Sequence, residues 1–214
     1  MTLARGFLLA VALCFGADLA FAQAPGAPKA EMLAPVSPAI DAARFVLGPA
    51  IARVTVVIYG DLACPDTRRA WGYLRSDAAR RADDVRIEFK HVVPHRNADI
   101  GARYLDAVLL VDRTKAAAFI DAAFAGWPPG DAASNPDAIA AAMDLAASGA
   151  GLDLDAVHAR IDVAATAARI AADTAEHHAF LFHGIPGVVI DGTRVWNERG
   201  GAGYSELIEA ALAR

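Results

Sequence analysis

Sulfur is scarce in this chain, with two cysteines and three methionines among 214 residues. Cys14 falls in an N-terminal apolar run, so removal of that run leaves Cys64 as the one thiol. One thiol excludes an intramolecular disulfide, and with it a disulfide-stapled scaffold. It also makes a poor Cys/His metal set, since such a site needs three or four ligands. No metal or other cofactor is therefore expected. An excess of positive charge is also missing: 20 Lys and Arg against 25 Asp and Glu give a net charge of −5. That balance argues against nucleic acid as a partner and offers no basic patch to anionic lipid. Long apolar runs are absent too. The stretch from Phe7 to Phe15 falls well short of the roughly 20 residues that cross a bilayer, so no stable membrane insertion is expected. Repeats and heptads are lacking, and the 56% apolar content is inflated by alanine, which favours helix over a greasy surface.

What is present begins with an export signal over residues 1–22. Arg5 supplies the positive start, Phe7 to Phe15 the apolar stretch, and Ala20-Phe21-Ala22 a small-x-small cleavage site, with Ala22-Gln23-Ala24 as an alternative. Leu13 is too bulky to precede a lipidated cysteine, so Cys14 leaves with the signal. The expected location is the periplasm. A single cysteine in an oxidising compartment suggests a reactive thiol or intermolecular pairing. The remaining chain of roughly 190 residues suits one domain with room for a good core. Residues 23–43 are rich in proline and alanine without periodicity and read as a flexible lead-in.

Beyond the lead-in the pattern alternates. Phe45-Val46-Leu47 and Val54 to Tyr59 read as strands, the second apolar almost throughout, as a buried central strand would be. A helix follows with Trp71, Leu74 and Ala78 on one face, and Val85 to Phe89 alternates like a strand. After His95 the pattern turns helical for some eighty residues. Asn135-Pro136-Asp137 opens one helix, with Gly149 just past its end. Asp153 caps another, whose face carries Leu154, Val157 and Ile161. A third carries Ile170, Thr174, His177 and Leu181. Gly187 to Ile190, Asp191-Gly192 and Thr193 to Trp196 spell a hairpin, and Ser205 to Ala213 a closing helix.

The chemistry concentrates at Cys64-Pro65-Asp66-Thr67, between the central strand and its helix. A cysteine opening a helix meets the positive end of the peptide dipole and unpaired backbone N–H groups, which favour a thiolate. Such a cysteine is expected to be exposed. Thr67, in the first turn, either donates its hydroxyl to the Cys64 sulfur or serves simply as a helix-start residue. Asp66 suits the first turn of a helix, yet its charge opposes a thiolate beside it. Among the histidines, His91 and His95 are separated by the helix-breaking Pro94, His177 and His178 point apart on a helix, and His183 is the one placed near Cys64.

The segments FVLGPAIARVTVVIYGDLACPDTRRAW and HGIPGVVIDGTRVW, with VRIEFKHVVPHRNADIGAR between them, resemble the DsbA-like branch of the thioredoxin fold. The resemblance implies an α/β fold, a thioredoxin-like core of central sheet and flanking helices with an inserted all-helical domain. The core would occupy residues 44–96 and 182–214, and the insert residues 97–181. It further implies that Ile185-Pro186 is a cis-proline loop facing the redox cysteine. The Ile185 backbone would pair there with an extended peptide. The departure falls on the motif itself, where the family's second cysteine is Thr67.

An alcohol cannot attack a mixed disulfide as a thiol does, so stoichiometric dithiol oxidation is excluded. Two classes remain. In one, Cys64, Pro65 and Thr67 form the catalytic motif of a monothiol or isomerase-type exchange enzyme, with Ile185, Pro186 and His183 binding substrate. Its partners would be extended or unfolded protein thiols and disulfides, or a low-molecular-weight thiol. In the other, the chain is a redox-inactive module that binds extended peptides or a partner protein. Cys-Pro at a helix start favours the first, and Thr67 the second.

Overall fold

The computed structural model describes residues 34–195 and 201–214. The expected export signal and both of its candidate cleavage sites lie outside the described residues, as does Trp196.

The central strand dictates the architecture. In β2 (Val54–Gly60), six of seven residues are buried, because both faces of this β-branched run are covered. It pairs in parallel with β3 (Val85–His91), and the right connection for parallel neighbours is a helix, here α1 (Pro65–Arg80). On its other side β2 pairs antiparallel with β4 (Gly187–Ile190), which turns into β5 (Thr193–Val195). With β1 (Phe45–Leu47) beside β3, the sheet runs β1-β3-β2-β4-β5. The hairpin turn has Asp191 at φ 46° and Gly192 at φ 82°, the two positive values that an Asp-Gly turn of this kind supplies.

Alternation along β2 feeds two cores. Val54, Val56 and Ile58 join Ile87, Phe89, Trp71 and Leu74 in the larger one, which continues into the helices that follow β3. Val57 and Tyr59 join Val92, Phe182 and Val189 in a smaller one. Between β3 and β4 lie α2 (Ala98–Asp112), α3 (Ala116–Gly126), α4 (Pro136–Gly149), α5 (Leu154–His158) and α6 (Val163–Ala179). The chain closes with α7 (Gly201–Leu212), packed on α1 and β4.

Several sequence expectations give way to packing. β3 does not alternate: Glu88 and Lys90 are buried together with its apolar residues, because α6 covers the face that a half-exposed strand would present to water, while His91 is buried on the other face against Asp106 of α2. The buried face of α6 is accordingly polar, formed by Thr166, Asp173 and His177. Asp173 takes a two-pronged contact from Arg44 at 2.8 and 2.6 Å and the His91 N–H at 2.7 Å. Lys90 and the Tyr59 hydroxyl both bond Glu176. Leu181 lies beyond α6 with φ 60° and is exposed. Gly149 is the last residue of α4 rather than its stop, the left-handed position falling at Gly151 with φ 75°. α5 is a single turn, so Ile161 reaches the core from the connection after it.

The flexible lead-in expected up to residue 43 is anchored from Ala34 onward. The Val36 N–H donates to Gly192 O at 2.9 Å, Arg194 reaches Ala34 O at 3.2 Å, and Lys90 reaches Ala39 O at 2.7 Å. Val36 packs against the smaller core, which would otherwise leave Val57 and Val189 open to water.

Candidate functional site

β2 ends at Gly60, and the chain turns through Asp61 to Cys64, whose N–H donates to Asp61 O at 3.4 Å. Cys64 is the N-cap of α1, with extended backbone (φ −85°, ψ 119°) and Pro65 as the first helical residue. Proline suits that place, where its missing N–H costs nothing and its φ is already helical. The Cys64 Sγ accepts the Thr67 N–H at 3.4 Å. An orphan donor of the first turn thus points at sulfur. Asp66 is turned outward and pairs with Arg69 at 2.9 Å, which keeps its charge in solvent.

Two details differ from the sequence reading. Cys64 is buried, with 6% of its surface exposed, because the turn tucks the capping residue under the helix start. Thr67 is fully buried, and it is its backbone rather than its hydroxyl that meets the sulfur. The Thr67 Oγ1 has no hydrogen-bond partner, and the side chain lies against Gly60. A Cβ at position 60 would stand 2.5 Å from Thr67 Cγ2 and 2.7 Å from its Oγ1, so glycine is needed at that strand end. The fourth position of the motif is therefore an inward, sheet-facing one.

The loop before β4 reaches the same end of the sheet. Tyr59 pairs with Gly187 in the register of β2 and β4, so Pro186 stands one residue past the last paired position, as Gly60 does on β2. The Ile185-Pro186 bond is cis, and Ile185 packs on the smaller core. His183 is exposed on this loop. The structure thus brings Cys64, Pro65 and Thr67 to one turn, and His183, Ile185 and Pro186 to one loop at the same sheet end.

Sequence reading misses three neighbours. Asp61 is buried, with Oδ2 at 2.8 Å from His95 Nδ1 and Oδ1 without a partner. Burial pushes its carboxyl above the usual range, against the pull of His95. The signal for Asp61 is its place three residues before the cysteine, whereas Pro94, which breaks the spacing of His95 to His91, hides the histidine. His177, at the end of α6, bonds the Gly184 carbonyl through Nε2 at 3.0 Å. Nothing in the helix pattern marks it apart from a core histidine. Among the described residues no cluster of three or more His, Cys, Asp or Glu could hold a metal ion. No helix among them is long and apolar enough to cross a membrane.

Chemically, the turn offers one sulfur, a backbone donor to it, and, among the described residues, no second thiol that could displace a partner from it.

A family model described as Thioredoxin matches residues 41–210. Among solved structures, BdbD from Bacillus subtilis is similar with a TM-score of 0.70 at 20% identity, over 85% of this chain and 98% of that one. The thiol-disulfide exchange protein α-DsbA2 from Wolbachia pipientis gives 0.64 at 14% identity, over 77% and 84%. A periplasmic thioredoxin-like protein from Salmonella enterica serovar Typhimurium gives 0.62 at 15% identity, over 81% and 92%. At these identities the likeness is one of fold. Compared by sequence with curated proteins, the chain matches none.

Proposed function

Because the chain belongs to the thioredoxin family, we propose that it is a periplasmic thiol–disulfide exchange protein that works through Cys64 alone, an external thiol completing each cycle. Residues 1–22 would carry it across the membrane and be removed there. The observation that carries the reading is the Cys64 Sγ at the N-cap of α1, accepting the Thr67 N–H at the sheet end that also bears the Ile185-Pro186 loop.

In the proposed cycle, the Cys64 thiolate attacks one sulfur of a disulfide R–S–S–R′. The old S–S bond breaks, R′–S⁻ leaves and takes a proton, and Cys64–S–S–R remains. Thr67 cannot displace R, since its group is a buried alcohol packed on Gly60. A thiol from outside, R″–SH, then attacks the R sulfur as its thiolate; the bond to Cys64 breaks, R–S–S–R″ is released, and Cys64 leaves as a thiolate, so no net oxidation of this chain results. The substrates are extended or unfolded polypeptides with thiols or disulfides, or a low-molecular-weight thiol. Ile185, beside Pro186, would pair with the substrate backbone, and His183 would border it.

A second reading has two observations of its own. The 6% exposure of Cys64 and the loss of the resolving position suit a module that binds extended peptide and turns nothing over. Release of glutathione from a glutathionylated peptide, with a reductant supplied, separates the two. The exchange reading expects turnover by the wild type and none above background by Cys64→Ser; equal rates leave the binding module.

A further inference from the structure

The proposed peptide-binding loop is held from an unexpected side. His177 sits in the last turns of α6, 3% exposed, and its Nε2 lies 3.0 Å from Gly184 O. A carbonyl only accepts, so Nε2 carries the hydrogen, and Nδ1 is left with a buried lone pair and no partner. The ring stacks on Phe182 at 5.2 Å and tilts against Tyr59 of β2 at 5.8 Å. Its own carbonyl accepts the Phe182 N–H at 3.3 Å. On the far side of Pro186, a Cβ on Gly187 would stand 3.1 Å from His177 Cδ2 and 2.9 Å from the Phe182 ring. The imidazole therefore touches the loop both before and after Pro186.

We propose that His177 is the positioning residue of this loop, fixing Gly184, Ile185 and Pro186 for capture of an extended partner. The inference rests on the exchange reading for its substrate, though the positioning itself does not. It makes capture dependent on a neutral imidazole. A second proton would go to Nδ1, in a buried place that offers no acceptor. The charged and titratable groups around it do not help. His178 on α6 and His183 on the loop both disfavour a cation at His177. Tyr59 on β2 gives its hydroxyl to Glu176, and Lys90 on β3 is bonded to the same carboxylate. Burial is the largest effect and lowers the His177 pKa below the ordinary histidine value, only partly opposed by the Gly184 bond. When acid does force the proton on, the ring must leave its place and the loop loses its support.

Amide hydrogen exchange of residues 181–187, corrected for intrinsic rates, tests this on the mature protein at pH 7.5 and in steps down to pH 4. His177→Phe keeps the ring but loses the donor, and His177→Gln keeps a donor at the Nε2 position without titrating. Loss of one such bond corresponds to about a tenfold change. Expected is about tenfold faster exchange in this segment for His177→Phe at pH 7.5 and for the wild type once acid protonates His177, at a pH below the ordinary histidine value, with His177→Gln protected throughout. KM for a glutathionylated extended peptide should rise in the same pattern. Alkylation of Cys64 by iodoacetamide should stay equal among the three at fixed pH. Unchanged protection in His177→Phe, or equal loss on acidification in the wild type and His177→Gln, overturns the proposal. If His177→Phe does not fold, the wild type against His177→Gln over the acid steps decides. A wild type with the expected protection pattern but no exchange with any peptide supports the positioning role and overturns the exchange reading instead.

Discussion

At position 67 a hydroxyl occupies a fully buried site and has no partner. Buried polar groups ordinarily find one, and leaving them alone costs about 1–3 kcal/mol. Cysteine is near threonine in volume, is weakly polar and prefers burial, so Thr67→Cys should fit against Gly60 without loss of stability. The first and fourth residues of a helix start share one side of the turn, near the ~5.5–6 Å Cα separation that disulfides favour. Under oxidant, which takes up two electrons, the variant should lose two hydrogen atoms by mass, through a bond between Cys64 and the introduced thiol, and gain reductase activity toward insulin. An introduced thiol that stays reduced while Cys64 reacts would show that the two positions do not face each other.

Among the elements, α6 is unusual in sealing polar rather than apolar surface. Asp173 accepts three donors from Arg44 and His91, all buried. Asp173→Ala would strand the Arg44 guanidinium, whose Nε already lacks a partner, and should cost ~3–5 kcal/mol in urea unfolding. A loss below about 1 kcal/mol would mean that the pair adds little. On the neighbouring strand, burial pushes the Glu88 carboxyl up to about 7, with Lys90 and Arg44 pulling the other way. A carboxyl raised above its ordinary value of 4.5 destabilises the fold as pH rises from there, and the cost is complete above about 7. Glu88→Gln should therefore raise stability by ~1–3 kcal/mol at pH 8 and leave it unchanged near pH 4.5, read from unfolding curves at both. A gain of the same size at both pH values would contradict this. None of this network is legible in the sequence. VRIEFKH shows the period of a half-exposed strand, and only the docking of α6 turns Glu88 and Lys90 inward. The helix caps, by contrast, are local chemistry and readable: Asn135 accepts the Asp137 N–H and Asp153 the Asp155 N–H.

Over the whole molecule, the order of elements follows from periodicity and turn residues, while the site is legible only in part. Cys64-Pro65 announces a helix start because proline and an N-cap side chain are local signals. His95 and His177 come to the site through chain reversals of tens of residues, and no spacing encodes those contacts. Asp61 gains its burial only when the helices close over the turn. The anchoring of residues 34–40 is hidden for the same reason, since a proline-rich stretch has no period to betray the sheet face it covers. Exchange through a single sulfur requires a mixed disulfide at Cys64. Incubation of the reduced mature protein with a glutathionylated extended peptide, quenched and read by intact mass and peptide mapping, detects that species directly. Expected are one partner joined per chain through Cys64, one thiol released for each, and discharge only when an external thiol is added. A chain that binds the peptide but never forms the adduct, or one that discharges it unaided, would contradict single-cysteine exchange.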